Sequence, residues 1–256
     1  MTDEVRYEVD GRIATITLNR PEQRNAINPE LTLAMNAVME RFEADPDVWL
    51  AILTGAGSVF SAGADLKVIA AGRGPELSSA KGGFAGFVRY PRSKPVIAAV
   101  NGFALAGGTE LVLACDLVVA ARDAAFGLPE VTRGIVAVGG GVFRLPRAIG
   151  AARARELIMT GDRFGAEEAH RLGLVNHVVD TDEVVPTARA LGERICANAP
   201  LAVRESLAIA RAALEIDEDE GWSRSEATSA RIKQTEDAKE GPRAFAEKRP
   251  PRWTGR

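Results

Sequence analysis

Apolar and polar residues alternate along Val5–Val9 and again along Ile13–Leu18, with Asp10-Gly11 between the runs. A period of two lays one face of a strand on a core, and Asp-Gly supplies the positive φ of a tight turn. The stretch therefore predicts a β-hairpin. Asn28-Pro29 then offers a capping side chain and a first helical residue whose N–H is not needed. LTLAMNAVMERFEA follows with apolar positions at helical spacing. The short apolar runs Val48–Leu53 and Pro95–Val100 predict buried strands. Ala64–Ala71 predicts a short helix, 107–115 a second, and Asp116–Ala120 another strand. Residues 72–92 are rich in Gly and polar groups with weak periodicity, and predict a mobile surface loop over a pocket. Strands and helices alternate, so the class is α/β.

Past residue 182 the strand signal disappears. Helices are predicted over 183–198, 200–214 and 218–238, with a last helical turn at 242–248. Little in this tail covers its own apolar faces, so it packs on the core or on another subunit. The chain thus divides into an α/β core, 1–182, and a helical region, 183–256. No repeat of fixed period and no low-complexity linker interrupts it.

With 256 residues, 46% of them apolar, the chain can bury one sizeable core with a small second lobe. Its net charge is −3 and no basic stripe carries interleaved aromatics, which argues against nucleic acid as a partner. No apolar run reaches the ~18 residues of a membrane span. MTDEVRYEVDGR has neither a basic patch nor an apolar stretch, so no secretory leader is expected. Only Cys115 and Cys196 are present, without a CxxC, which fits a reducing cytoplasm.

Composition also narrows the chemistry. The two histidines, His170 and His177, lie in EEAHRLGLVNHVVD and read as surface or packing residues. Neither belongs to a group with the spacing of a zinc site, so no metal is expected. Cys115, inside LVLACDLVV, reads as a small buried thiol. Carboxylates and backbone groups are left to carry any reaction.

Gly55 and Gly57 follow a strand, but Phe60 stands where a third glycine of a dinucleotide fingerprint is required, and no GK[ST] is present. Ser61-Ala62-Gly63-Ala64-Asp65 joins small residues to a helix start, where backbone N–H groups lack partners. Ala106-Gly107-Gly108 repeats the arrangement. Facing each other, the two turns would make a two-donor oxyanion hole; apart, they are two ordinary helix N-termini. Glu110 lies in the first turn of the second helix, within the apolar run GFALAGGTELVLACDLVV. The helix dipole favours its anion and the apolar surroundings oppose it. Glu130 follows Pro129 in AAFGLPEVTRGIVAVGGG, again among apolar residues. Taken singly, each glutamate reads as a capping residue. Together in one dry pocket they would divide into an acid and a base.

These segments resemble the crotonase superfamily, the enoyl-CoA hydratases and isomerases. The resemblance runs along NRPEQRNAIN (19–28), FSAGADLK (60–67), NGFALAGGTELVLACDLVVA (101–120), FGLPEVTRGI (126–135) and EGPRAFAEKRPPRW (240–253). It implies a core of repeated ββα units with a C-terminal helical trimerisation region, assembled as a trimer or a hexamer (a dimer of trimers). It implies that the Ala64 and Gly107 N–H groups hold a thioester oxygen, that Glu110 activates water, and that Glu130 donates a proton to Cα. Arg24, Ala26, Ala62, Asp65, Leu66 and Pro129 match positions that line the coenzyme A and substrate path. Lys248 matches a lysine that reaches the 3′-phosphate of coenzyme A on a neighbouring subunit; otherwise it is an exposed tail lysine. No cofactor is implied beyond the coenzyme A of the acyl-CoA substrate.

The implied reaction is hydration of a 2-enoyl-CoA to a 3-hydroxyacyl-CoA. The alternatives are a carnitinyl-CoA dehydratase-like or isomerase reaction on the same scaffold, and a non-catalytic acyl-CoA-binding protein. One departure bears on this choice. GIVAVGGGVFRLPRAIG carries Ala137 and Val138 where hydratases of simple enoyl chains often have Pro-Gly, and resembles the carnitinyl-CoA dehydratase-like branch.

Overall fold

The predicted hairpin forms the edge of a six-stranded sheet in a computed structural model that describes residues 3–256. Val5–Asp10 pairs antiparallel with Ile13–Leu18, and Gly11 takes the positive φ of 60° at the turn. The sheet continues through Leu50–Gly55, Val96–Val100, Leu117–Ala121 and His177–Val179, all in parallel register. Every residue of Val96–Val100 is buried, as a central parallel strand covered on both faces requires.

A second, three-stranded sheet is made of Arg163–Gly165, Ala125–Gly127 and Ala104–Leu105. It explains the repeat. Val96–Val100 leads to Ala104–Leu105 and then to the helix Gly107–Ala114. Leu117–Ala121 leads to Ala125–Gly127 and then to the 3-10 turn Pro129–Arg133. Leu50–Gly55 leads to Ser61, bridged to Ala104, and then to the helix Leu66–Ala70. Each pass runs from the large sheet past the small one, the first of them in chain order through a single bridge, and ends on a helical turn.

Helix Pro29–Ala44 begins as predicted, with Asn28 Oδ1 accepting from the Leu31 N–H at 2.8 Å. It buries Leu31, Met35, Val38, Met39 and Phe42. Helix Val184–Cys196 packs on the large sheet, where Gly192 lets Ile13 and Leu50 approach closely. Helices Gly141–Ile149 and Ala151–Thr160 have no counterpart among the elements predicted from sequence.

Two expectations are corrected. Residues 72–92 are not a loose loop: they form a 3-10 turn at Gly74–Leu77 and a small hairpin, Ser78–Ser79 with Gly83–Phe84, and bury Leu77, Ala85, Phe87, Val88 and Tyr90. The helix expected over 218–238 ends at Ile232, and a new one, Glu236–Ala246, starts on Thr235, whose Oγ1 accepts from the Ala238 N–H. That second helix absorbs most of the turn expected at 242–248. The tail then folds back on it. Asp237 accepts from the Thr254 and Gly255 N–H groups, and Trp253 Nε1 donates to Ala197 O at 2.8 Å.

Asn25 fastens the segment 20–28 beside the end of the third strand. It is fully buried at φ 52°, a region Asn tolerates better than most residues. Its Nδ2 donates to Ala56 O and Val59 O, both at 2.9 Å, and its Oδ1 accepts from the Arg20 N–H at 2.9 Å. Asn25→Ala leaves three backbone groups without partners, one buried and two part-buried, and urea denaturation should find it less stable by about 2–4 kcal/mol. A loss near zero would show that the three groups are satisfied another way.

Candidate functional site

The two glycine turns picked out in the sequence meet. Gly63 has φ 87°, and a Cβ there would lie 2.7 Å from Gly107 N, 2.8 Å from Ala106 Cβ and 2.8 Å from Leu105 O. A Cβ on Gly107 would run into the Phe84 ring, and one on Gly108 into Ser61 O. Gly63 and Gly108 are thus required by close backbone approach, and Gly107 by the ring packed against it. Ala106 has φ 53° and ψ −125°, a strained conformation for a residue with a side chain. Its N–H is held by Gly127 O at 2.9 Å. Ser61 supports the facing turn: its Oγ donates to Asn25 O at 2.8 Å and accepts from the Gly63 N–H at 3.1 Å. Among the described residues, neither the Ala64 nor the Gly107 N–H has an acceptor. Both residues line a cavity of about 450 Å³.

Glu110 and Glu130 line the same cavity. Glu110 is 3% exposed. Its Oε1 accepts from the Gly141 N–H at 2.9 Å, and the Gly139 N–H also donates to the carboxylate. Burial raises its pKa, while these two donors and the Arg144 guanidinium act to lower it. A Cβ on Gly139 would lie 2.5 Å from Glu110 Oε2, so the Gly139–Gly141 run fits around the carboxylate. Glu130 sits in the 3-10 turn started by Pro129 and is 7% exposed. Its Oε2 is buried with no hydrogen-bond partner. Burial, and then the neighbouring Glu110 charge, push its pKa up to about 7 against its own N–H. Two carboxyl groups therefore share a cavity in different surroundings: Glu110 held by donors that oppose the rise in its pKa, Glu130 pushed toward keeping its proton.

Thr109 links the two halves of the site, and sequence reading passed over it. Its Oγ1 lies 2.7 Å from Ala104 O and 2.9 Å from Gly127 O, and accepts from the Gly127 N–H at 3.0 Å. It ties the helix of Glu110 to the strand that leads to Glu130. A lone Thr in an apolar run was the available signal. The glycines at 139–141 gave none, because their partner is about thirty residues upstream.

The other expected residues divide into two sets. Ala62, Leu66 and Pro129 line the cavity, with Ile69, Leu77, Phe84, Arg133 and Val136. Arg24, Ala26 and Asp65 do not line it but flank it. Arg24 O accepts from the Ala62 N–H and Ile27 O from the Asp65 N–H, both at 2.9 Å. Asp65 caps the helix Leu66–Ala70 through the Lys67 N–H and lies 3.5 Å from Arg20. Lys248 is exposed at φ 53° and does not line the cavity of its own chain. His170 Nδ1 lies 2.8 Å from Val175 O, a packing role. Burial pushes the Cys115 thiol up to about 12, so it is no nucleophile at neutral pH. No helix among the described residues is long and apolar enough to cross a membrane.

The sequence profile described as enoyl-CoA hydratase/isomerase matches residues 8–256. A carnitinyl-CoA dehydratase of Salmonella typhi is 44% identical, over 100% of both chains. The crystal structure of an enoyl-CoA hydratase from Mycobacterium tuberculosis H37Rv superposes with a TM-score of 0.95 at 46% identity, covering 100% of both chains. That of a carnitinyl-CoA hydratase from Mycobacterium avium does so at 0.76 and 44%, again over 100% of both.

Glu130 also leaves a thermodynamic signature. Its folded pKa of about 7 exceeds the ordinary 4.5, so the native state holds the extra proton and stability falls as pH rises through that window. Glu130→Gln removes this loss. Urea denaturation near pH 8 should find the variant more stable than the parent by about 2–3 kcal/mol, with the gap closing toward pH 5. A gap that does not change with pH would contradict the raised pKa.

Proposed function

The chain belongs to the enoyl-CoA hydratase/isomerase family, and on that premise we propose that it adds water reversibly to a 2-enoyl-CoA, giving a 3-hydroxyacyl-CoA. One observation carries this reading: two buried carboxyl groups of different proton affinity share a cavity with two free N–H donors brought together at Gly63.

The Ala64 and Gly107 N–H groups receive the thioester oxygen. Charge develops there when water attacks Cβ, and each preorganised donor is worth about 3 kcal/mol against the barrier. Glu110, whose anion the Gly139 and Gly141 N–H groups favour against the burial that raises its pKa, takes a proton from the attacking water as its oxygen bonds to Cβ. The double-bond electrons move into the enolate. Glu130 then delivers its proton to Cα, and the enolate returns to a thioester. Glu110 ends protonated and Glu130 ionised, and exchange with solvent restores both.

The acyl end of the cavity supports a plain acyl chain over a carnitinyl one. Its wall is apolar at Ile69, Leu77, Ile135, Val136 and Val138. A trimethylammonium group is recognised by aromatic faces or by a free carboxylate. Phe84 is the aromatic residue of this lining, the two glutamates are its acids, and Arg133 adds a positive charge. Carnitinyl-CoA dehydration remains the competing reading because relatives bearing that name are 44% identical.

Coenzyme A is assigned to the edge formed by Arg24, Ala26, Ala62, Asp65, Leu66 and Pro129. We assign residues 183–256 to assembly of a trimer or hexamer in which Lys248 reaches the 3′-phosphate held by a neighbour. Support comes from the exposure of Leu214, Trp222 and Phe245 along this region and from the position of Lys248 outside its own cavity.

With crotonyl-CoA, Glu110→Gln and Glu130→Gln should each lower kcat by roughly 10²–10⁴-fold with little change in coenzyme A affinity, read as loss of the conjugated thioester absorbance. Crotonobetainyl-CoA and a 3-enoyl-CoA serve as comparison substrates, and faster turnover of either would displace hydration of simple enoyl chains. Light scattering should give the mass of three or six chains. Lys248→Ala should raise KM while sparing kcat; an unchanged KM would remove Lys248 from the coenzyme A site.

A further inference from the structure

A second cavity, of about 620 Å³, lies between Val88–Arg92, the end of the helix Gly107–Ala114, the helix Gly141–Ile149 and the end of the helix Pro200–Ala212. It shares no lining residue with the glutamate cavity. Its charge is out of balance. Arg89, Arg92, Arg144, Arg147 and Arg211 line it, against Asp116 and Glu215.

Both acids are already engaged. Asp116 receives Arg211 through both oxygens at 2.8 Å and also accepts from the Val96 N–H at 2.8 Å. Glu215 pairs with Arg147 at 2.6 Å. Arg92 lies 3.4 Å from Asp116 Oδ1, donates to Ala114 O, and has an Nε with no partner although its side chain is only 9% exposed. Arg144 donates to Val88 O at 2.7 Å and Gly139 O at 3.3 Å, both neutral acceptors. Burial and the nearby Arg92 charge push the Arg144 pKa down. The Cys115 thiol in the same wall stays protonated and adds no negative charge.

Of the three positive charges in excess, Arg89 is open to water, but Arg92 and Arg144 are largely withdrawn from it and are costly without a counter-ion. A guanidinium fork matches the oxygens of a tetrahedral anion, and an unpartnered buried Nε is a donor already desolvated for that purpose. We propose that this cavity binds a small oxyanion of the phosphate type carrying two or more negative charges. A monovalent ion would leave most of the excess uncompensated.

The test is calorimetric titration of the full-length protein with inorganic phosphate, at a pH where the dianion dominates, with chloride at matched ionic strength as the control. Saturable binding of one phosphate per chain is expected. Arg92→Gln and Arg147→Gln should each weaken it by roughly tenfold, the second also by releasing Glu215. Arg147 is half-exposed, so its variant keeps the test intact if Arg92→Gln fails to fold. Glu130→Gln should leave phosphate affinity unchanged, which separates this site from the thioester cavity. No saturable heat beyond the chloride control would overturn the proposal, as would binding that Arg147→Gln leaves intact or that Glu130→Gln abolishes.

Discussion

Where Gly63 meets the turn at Leu105–Gly107, two backbone segments approach so closely that Gly63 has no room for a side chain. The rest of the site depends on that contact. It brings together two helix starts that lie more than forty residues apart in the chain. It holds only because the strands before it deliver both segments to one edge, with Ser61 bridged to Ala104 and Ala106 held in a strained turn by Gly127 O. Strain of this kind persists where the surrounding structure over-determines it. The buried strands and the Thr109 hydrogen bonds provide that constraint.

The second constraint is electrostatic. Two carboxyl groups in one apolar cavity cannot both ionise without cost. The structure treats them differently. Glu110 receives backbone donors from Gly139 and Gly141, while Glu130 keeps one oxygen without a partner. The difference makes one a base and the other an acid in the proposed reaction.

Much of this was legible in the chain. The hairpin, the central strands and the helix Pro29–Ala44 follow local periods of two and 3.6, which survive folding because they reflect burial of one face or both. The two glutamates stood out as charges inside apolar runs, and the glycine turns as helix starts with small residues. The errors have physical causes too. Residues 72–92 looked loose because Gly and polar groups mask five buried side chains whose partners lie elsewhere. The long helix expected over 218–238 was broken by Thr235, which caps the next helix and bears no mark of it in periodicity alone.

Sequence by itself determined the α/β class, the positions of both glutamates and the two candidate donor turns. Those properties depend on residue type and short spacing. Only the tertiary structure decided that the two glycine turns lie side by side and that the glycines at 139–141 pack around Glu110. It also decided that five arginines line a separate cavity. The physical reason is distance along the chain. These contacts join segments tens of residues apart, and a local pattern records that a backbone can bend or that a charge is buried, but not which distant group it will meet.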